Sequence, residues 1–379
     1  MSVPESILCV ILCGLISFKC RHACNNVLLN WFTNVFPSLY FQLERSHITV
    51  LLHPSVPMFR DLVSKSPRCK KTTQKVFLKD IATMARQMDR DNQRQPTSLQ
   101  VPKPLNISGV VFHESRCGST LVANSLIGMN PTQHRVYSES PPPVTAMRIC
   151  GEDYSLCSKQ QAAAILRDTL YMMSRTNDPK EQRVFFKIQS VGSRHIEVFR
   201  EAFPDTPWIF VYREPVQVMM SHLKYGIRRA NCLRSHHNPP PVTQNLIKRH
   251  GRDNTAQLSP QEFCAAHLAT ITESAMENLR QTNYGVPVNY ASLPAILYET
   301  ILPHHMGIPT TATEIHNILQ VSSQYSKGRD DKKAEWQEDS TEKEKAASRE
   351  IRQAAKEFMT ESFAALEEFG GAKLKTLQA

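Results

Sequence analysis

The sequence predicts a three-layer α/β/α sandwich with a mostly parallel sheet, and three observations support this prediction. Short apolar runs rich in β-branched and aromatic residues occur at residues 109–112, 184–188 and 208–212, as expected for strands covered on both faces. Stretches with apolar residues at helical spacing separate these runs. Strands that alternate with helices typically form a parallel sheet between two helical layers.

The chain has 379 residues, enough for one large domain with extensions. We divide it into an apolar N-terminal segment at residues 1–45, a helical extension and linker at 46–104, and a catalytic domain at 105–379. The pattern predicts a helix at residues 76–88, followed by a polar linker at 89–104 that contains prolines.

The apolar N-terminal segment has no single interpretation. Its first apolar run, residues 6–18, is shorter than the ~20 residues that span a bilayer. Glu5 precedes this run, whereas a signal peptide begins with positive charge. Membrane contact by residues 1–43, a signal anchor and a buried helix all stay open. We expect a soluble protein, with the cytoplasm favoured over the Golgi or another endomembrane compartment.

One stretch organises the catalytic domain. A buried strand at residues 107–112 leads into a polar loop, and an amphipathic helix follows at residues 121–127. Arg116, Gly118, Ser119 and Thr120 lie where that helix begins. The free N–H groups and dipole of a helix start attract anions, and glycine, hydroxyls and a guanidinium strengthen such a site. Phosphate or sulfate is therefore the expected ligand.

This loop differs from the nucleotide-binding P-loop, G-x-x-x-x-G-K-[ST], at two positions. His113 replaces the first glycine, and Ser119 replaces the lysine. ATP or GTP hydrolysis is therefore disfavoured, but anion binding is not. Cys117 either faces the bound anion with a lowered pKa or points into the core.

A second stretch has similar chemistry. The strand predicted at residues 208–212 ends in Arg213, at the kind of strand terminus where ligands collect in parallel sheets. Pro215 suits the first turn of the next helix, and Ser221 lies about two turns into it. An arginine and a hydroxyl so placed can hold a second phosphate. Lys187 interrupts the apolar run at residues 184–188, where a lysine is costly unless it reaches an anion or solvent.

The charge and the cysteines bound the function further. A net charge of +10 suits a doubly phosphorylated ligand or an acidic acceptor, and no nucleic-acid-binding motif is present.

Ten cysteines without a C-x-x-C pair give no support for a metal site. Cys150 and Cys157 can close a short loop, but we favour reduced thiols. Residues 231–254, rich in histidine, proline and arginine, read as a surface loop.

Together the two stretches resemble the sulfotransferases that use 3′-phosphoadenosine 5′-phosphosulfate (PAPS), over residues 107–369. In that family a [R/K]-x-G-[T/S]-[T/S] loop grips the 5′-phosphosulfate, and a later strand-end arginine with a serine eight residues on grips the 3′-phosphate. The matching residues are those from Arg116 through Cys117, Gly118 and Ser119 to Thr120, with Arg213 and Ser221. The resemblance implies a P-loop NTPase-like sulfotransferase fold, and the loop looks closest to the tyrosylprotein sulfotransferase type.

The resemblance also implies catalytic residues. Glu139 stands roughly 20 residues after the anion loop, before a proline run at residues 141–143 that we expect to form a rigid, extended loop. In the tyrosylprotein branch a glutamate at a similar distance is the base, so Glu139 is the candidate base and Lys187 the candidate stabiliser of developing charge. A late basic loop at Lys327, Gly328 and Arg329 is expected to close over the 3′-phosphate.

The sequence therefore predicts transfer of a sulfuryl group from PAPS to a hydroxyl acceptor of unknown class, without a metal and without nucleic acid. Two alternatives remain: a P-loop kinase or NTPase, and a non-catalytic nucleotide-binding protein of the same fold.

Overall fold

The computed structural model describes residues 10–11, 15–16, 77–94, 102–224, 226–323 and 339–378. The predicted N-terminal segment therefore lies mostly outside the described residues, and there only Val10–Ile11 and Leu15–Ile16 are described, as an antiparallel pair. Within the described part of the chain, no helix is both long enough and apolar enough to cross a membrane.

Five parallel strands form the central sheet. They are β1 Ile107–His113, β2 His134–Ser138, β3 Arg183–Lys187, β4 Trp208–Tyr212 and β5 Gly285–Asn289, and they lie side by side in the order β2-β3-β1-β4-β5. Every pairing between neighbours is parallel. The predicted parallel sheet is confirmed. A separate short pair joins Lys103–Pro104 to Arg175–Thr176.

Helices cover both faces of this sheet. The α-helices are α1 Leu78–Arg94, α2 Ser119–Met129, α3 Pro141–Met147, α4 Lys159–Ser174, α5 Ile196–Ala202, α6 Pro215–Leu223, α7 Pro241–Arg249, α8 Pro260–Leu279, α9 Ala312–Ser322, α10 Ser340–Ala346, α11 Arg349–Phe358 and α12 Thr360–Gln378. A π-helix occupies Leu297–His305, and short 3-10 helices occupy Ser190–His195, Ile227–Arg229, Asn231–Leu233, Thr255–Gln257 and Tyr290–Ser292.

Alternation along the strands explains the three layers. On β1, Val110 and Phe112 pack into the layer that contains α3, α4, α5 and α8, whereas Val111 packs into the layer that contains α2, α9 and the π-helix. All three side chains are fully buried. A strand that buries both of its faces must read as a continuous apolar run, and that is how β1, β3 and β4 were identified from the sequence. The three-layer α/β/α sandwich is thus confirmed.

The linker predicted at residues 89–104 is wrong in its first part, because α1 continues to Arg94. Asp89 is buried, and its carboxylate binds Arg175 at 2.6 Å and the hydroxyl of Tyr171. Leu78 and Ile81 pack the same helix against the α4 side of the fold. The polar residue that suggested a linker therefore makes a buried ion pair.

The proline run at residues 141–143 was predicted to form an extended loop, and this was wrong. Pro141 begins α3, with Ser140 as the residue before it. The first turn of a helix needs no intrahelical N–H donors, so prolines are tolerated there. Glu139 is consequently held just outside a helix start rather than in a free loop.

Two further predictions need correction. Residues 231–254 are not only a surface loop, because they contain α7, whose Leu246 and Ile247 are buried. The preference for reduced thiols was wrong, because Cys150–Cys157 and Cys232–Cys264 are disulfide-bonded. The partner of Cys232 is 32 residues away on α8, and no local pattern identifies such a pair.

Candidate functional site

The predicted site residues gather at one edge of the sheet. Arg116 lies in the loop after β1, Glu139 follows β2, Lys187 ends β3 and Arg213 follows β4. Since all strands are parallel, their carboxyl ends lie along the same edge. Connections also diverge there, because α2, which follows β1, packs on one face of the sheet, whereas α5, which follows β3, packs on the other. Such a divergence forms a crevice in open α/β sheets.

The loop after β1, residues 114–118 and called the β1 loop below, has an unusual backbone. Ser115, Arg116 and Gly118 have φ values of 99°, 56° and 82°. A Cβ atom on Gly118 would lie 2.2 Å from Cδ2 of Tyr290, so the turn excludes any side chain there. Among the described residues, four that are not glycine have positive φ, and Ser115, Arg116 and Glu139 of this edge are three of them. Strained backbone of this kind concentrates at functional sites.

The β1 loop leaves binding capacity unused. Among the residues that the structure describes, no side chain caps the N-terminus of α2. The first turn of any helix has N–H groups without intrahelical partners, and the helix dipole favours an anion beside them. Arg116 is partly exposed, and its guanidinium makes no ion pair or hydrogen bond within the described part of the chain. The Ser119 and Thr120 hydroxyls, near this helix start, are buried.

The thiol of Cys117 points away from the anion side. It is fully buried and donates to the carbonyl of Val211 at 3.0 Å. Burial raises the pKa of this thiol to about 11. The core position is therefore the correct one of the two alternatives, and Cys117 can contribute only its backbone to a bound anion.

Glu139 and Lys187 form an ion pair at the end of the two neighbouring strands β2 and β3. The Lys187 side chain is completely buried, while that of Glu139 is 26% exposed, so the carboxylate lies between the lysine and solvent. Nε2 of His113 lies 3.6 Å from the same carboxylate oxygen. The predicted base and the predicted cation therefore meet, and a histidine joins them.

The backbone of Glu139 is held in place as firmly as its side chain. Its φ is 55°, which a residue other than glycine rarely adopts. Its N–H donates to the Lys187 carbonyl at 2.7 Å, and its own carbonyl accepts from Nε2 of Gln189 at 2.9 Å. These bonds aim the carboxylate across the end of β3.

Arg213 is buried, and its guanidinium has several partners, here called the Arg213 cluster: Gln217, Asp339, Ser340 and Tyr290. Its Nε donates to Gln217 at 2.7 Å, and one terminal nitrogen donates to Asp339 at 3.1 Å and to Ser340 at 2.7 Å. Its guanidinium carbon lies 4.2 Å from the centre of the Tyr290 ring, a cation–π distance. The arginine predicted to bind phosphate is thus also bound by its own chain.

Ser221 lies on α6 as predicted, and Pro215 begins that helix. The Ser221 hydroxyl donates to the carbonyl of Gln217 at 2.9 Å, one turn earlier. To bind a phosphate oxygen it must give up this bond. Lys327, Gly328 and Arg329 lie outside the described residues, so their predicted role stays a prediction.

Sequence reasoning missed two residues of this edge. Glu114 is buried, and one of its carboxyl oxygens accepts from the N–H of Arg213 at 3.3 Å. Burial raises the pKa of Glu114 to about 8, so this carboxyl is mostly neutral at pH 7 and does not repel an anion. An acidic residue inside a predicted anion loop was the available clue.

Tyr290 is the second missed residue. Its ring packs on Gly118 of the β1 loop and on the guanidinium of Arg213, so it joins the two predicted anion sites. It follows β5, more than 170 residues from Gly118 in sequence. Nothing in the local sequence around either residue indicates the contact.

No family model matches the sequence, and no curated protein matches it. Among solved structures, the chain is similar to the sulfotransferase domain from the Synechococcus PCC 7002 olefin synthase. The identity is 12%, the TM-score is 0.35, and the match covers 70% of this chain and 95% of that one. At this TM-score the likeness is too distant to assign a function, which must come from the residues of the site.

Proposed function

We propose that the protein is a sulfotransferase that moves a sulfuryl group from PAPS to a hydroxyl acceptor. One observation carries the proposal. Two arginine-containing anion sites, the β1 loop and the Arg213 cluster, follow adjacent parallel strands and share the ring of Tyr290. A nucleotide with one phosphate on each side of its ribose needs two such sites at a short separation.

The residues fit this ligand in their chemistry. The uncapped start of α2, the Arg116 guanidinium and the Ser119 and Thr120 hydroxyls suit the 5′-phosphosulfate. Gly118 leaves room for the ring of Tyr290, which lies between the β1 loop and the guanidinium of Arg213. Arg213 and Ser221 suit the 3′-phosphate. When bound, PAPS supplies the activated sulfuryl group.

The ion pair beside the β1 loop supplies the acid–base chemistry. Glu139 accepts the proton of the acceptor hydroxyl, because its carboxylate is the exposed member of the pair. Protonation neutralises Glu139, so its carboxylate no longer balances the positive charge of the buried Lys187. That ammonium then stabilises the negative charge that develops during transfer. His113, 3.6 Å from the carboxylate, helps to position it.

A thermal-shift experiment tests the cofactor assignment. Adenosine 3′,5′-bisphosphate is compared with ATP and Mg²⁺, since a ligand at 100 times its Kd should stabilise the fold by ~2.7 kcal/mol. We expect a shift with the bisphosphate, which Arg213→Ala should abolish. A shift with ATP and Mg²⁺ alone would favour the P-loop kinase, and no shift with either would contradict nucleotide binding.

A transfer assay then separates an enzyme from a non-catalytic binding protein. The probe is ³⁵S-labelled PAPS with a panel of hydroxyl acceptors: carbohydrates, tyrosine peptides and small alcohols. Glu139→Gln should retain bisphosphate binding and lose transfer, because the amide cannot accept the proton. Binding by the wild type without transfer to any acceptor would support the non-catalytic alternative.

The disulfides bear on the compartment. Cys150–Cys157 and Cys232–Cys264 are typical of proteins that fold in an oxidising environment. We therefore favour the Golgi or another endomembrane compartment over the cytoplasm. Alkylation of the protein isolated without reductant, followed by mass spectrometry, checks this. Full labelling of these four cysteines would return the assignment to the cytoplasm.

A further inference from the structure

A second cation lies beside the Arg213 cluster and is not part of the predicted phosphate site. Lys343 lies on α10, and its Nζ donates to Asp339 at 2.7 Å. The same Asp339 oxygen accepts from Arg213 at 3.1 Å. Two cations from different parts of the chain therefore converge on one carboxylate oxygen.

Charged neighbours affect the pKa values of both Lys343 and Asp339. Burial lowers the pKa of Lys343, and the nearby charges of Arg213 and Lys224 lower it further, against the opposing effect of Asp339. Burial raises the pKa of Asp339, but the bonds from Lys343 and Arg213 outweigh this and hold it below its ordinary value. One carboxylate is thus shared by two cations, Lys343 and Arg213.

The two other acidic residues nearby have different partners. Glu344 on α10 accepts from the amide of Gln217 at 2.6 Å, and Glu214 caps α6 by accepting from the Gln217 N–H at 2.9 Å. The bonds through Gln217 fasten α10 to α6, which carries Ser221. Lys343 is consequently held beside the Arg213 guanidinium and is only 13% exposed in its side chain.

We propose that Lys343 is a further phosphate-binding residue, and that Asp339 is the resident counter-ion which a phosphate dianion displaces. This inference rests on the proposed function, in which Arg213 binds the 3′-phosphate. A dianion neutralises two cations better than a single carboxylate does. Asp339 can leave the cluster, since its side chain is 42% exposed. While it stays, it competes with the ligand and lowers the apparent affinity.

The test is calorimetric titration of the full chain with adenosine 3′,5′-bisphosphate. Asp339→Asn should bind about 3- to 10-fold more tightly than the wild type, because the competing charge is gone. Lys343→Gln should bind about 3- to 10-fold more weakly. Glu342→Gln and Lys345→Gln are matched controls, since both residues are exposed on the same helix and make no contact with the Arg213 cluster.

A second titration with adenosine 5′-monophosphate shows where the effect acts. It lacks the 3′-phosphate, so the Asp339 and Lys343 variants should bind it like the wild type, whereas 3′-AMP should show both effects. Asp339→Asn binding no tighter than Glu342→Gln, or gaining equally for 5′-AMP, would overturn the inference. Either result would leave the proposed function unaffected, provided that the wild type binds the bisphosphate and that substitution of Arg213 weakens this binding.

The opposite case, in which the inference holds but the proposed function fails, can also be recognised. If 3′-AMP binding depends on Asp339 and Lys343 as expected while labelled PAPS transfers no sulfuryl group, the inference holds and the sulfotransferase proposal fails. Binding by Asp339→Asn but not by the wild type supports the inference, because Asp339 then blocks the site. Absence of binding in every variant contradicts both.

Discussion

The β1 loop and the Arg213 cluster contain the same kinds of groups, but they differ in how much of their binding capacity the chain itself uses. In the β1 loop, Arg116 has no ion pair within the described part of the chain, and α2 has no side-chain cap. In the Arg213 cluster, the guanidinium has polar partners from α6 and from the start of α10 and lies against an aromatic ring. In the proposed function, the β1 loop therefore binds its anion without losing a bond to another described residue, whereas the Arg213 cluster must exchange internal bonds for its anion.

This difference has a physical consequence. A group without internal partners contributes to binding but little to stability, whereas a buried, paired charge contributes to both, because its removal leaves partners unsatisfied. Substitutions in the β1 loop should therefore change the affinity for the nucleotide with little effect on stability. Substitutions in the Arg213 cluster should change both.

The largest expected effect concerns Glu114, whose buried carboxyl belongs to the β1 loop and binds the N–H of Arg213. Its pKa is raised from 4.5 to about 8 by burial. Below pH 4.5 folded and unfolded chains are both protonated there, and its contribution to stability is fully present. Between the two pKa values only the unfolded chain ionises, so stability falls, and above pH 8 the loss levels off.

Glu114→Gln should remove this loss of stability, which is on the order of 5 kcal/mol for a shift of this size. Denaturant unfolding at pH 5, 7 and 9 measures it, as the difference between variant and wild type. Glu277→Gln, an exposed position on α8, is the control for a general charge effect. If the difference in the free energy of unfolding between variant and wild type is the same at all three pH values, Glu114 is ionised in the folded protein.

The next effect is the loss of Arg213. Arg213→Met should weaken adenosine 3′,5′-bisphosphate binding by about 100-fold and also lower stability, because the buried Gln217 loses its partner and an unsatisfied buried polar group typically costs about 1–3 kcal/mol. The affinity and stability of Arg213→Lys should lie between those of Arg213→Met and the wild type. Lysine keeps the positive charge but lacks the several N–H groups with which Arg213 binds Gln217, Asp339 and Ser340. Calorimetry and thermal denaturation measure the two effects. Unchanged affinity in Arg213→Met would remove the second anion site from the account.

Gly118→Ala tests the contact between the β1 loop and Tyr290. The added Cβ meets the ring at 2.2 Å and must adopt a φ of 82°, so we expect a loss of about 1–3 kcal/mol in stability and weaker binding. Gly251→Ala is a matched control, because Gly251 has a φ of 74° with no atom near its Cβ position. Equal losses in the two variants would mean that backbone strain alone acts and that the ring contact has no weight.

The smallest expected effect is that of Arg116→Gln. Binding of the bisphosphate should fall about tenfold, as expected for one charged hydrogen-bonding group. The free energy of unfolding should stay within about 0.5 kcal/mol of the wild-type value, because the side chain has no partner to lose among the described residues. Parallel titration and denaturant unfolding give both numbers. A clear loss of stability would show that the two sites do not differ as described.

The same contrast explains what the sequence could predict. β1, its loop and α2 form one continuous segment, so the apolar run, Gly118 and the helix start could be read locally. The convergence of Lys187 and Arg213 also followed from the sequence, because parallel strands place their carboxyl ends along one edge. The strand His134–Ser138 before Glu139 was not predicted, and Glu139 was named only through the family resemblance.

The partners of Arg213 could not be predicted in this way. Asp339 lies 126 residues away and Tyr290 lies 77 residues away, so only the folded chain brings them together. The proline run was misread for a different reason. Its composition suits both an extended loop and a first helical turn, and the chain forms the helix, in which Val144, Ala146 and Met147 are buried.

The central claim is that the carboxyl edge of the sheet holds two separate anions on one nucleotide. Calorimetric titration of the wild type with adenosine 3′,5′-bisphosphate and with ADP tests it most directly, because ADP carries both phosphates on its 5′ side. The account predicts that the bisphosphate binds at least about tenfold more tightly and that Arg213→Met abolishes this preference. Equal or tighter binding of ADP, or a preference that survives Arg213→Met, would contradict it.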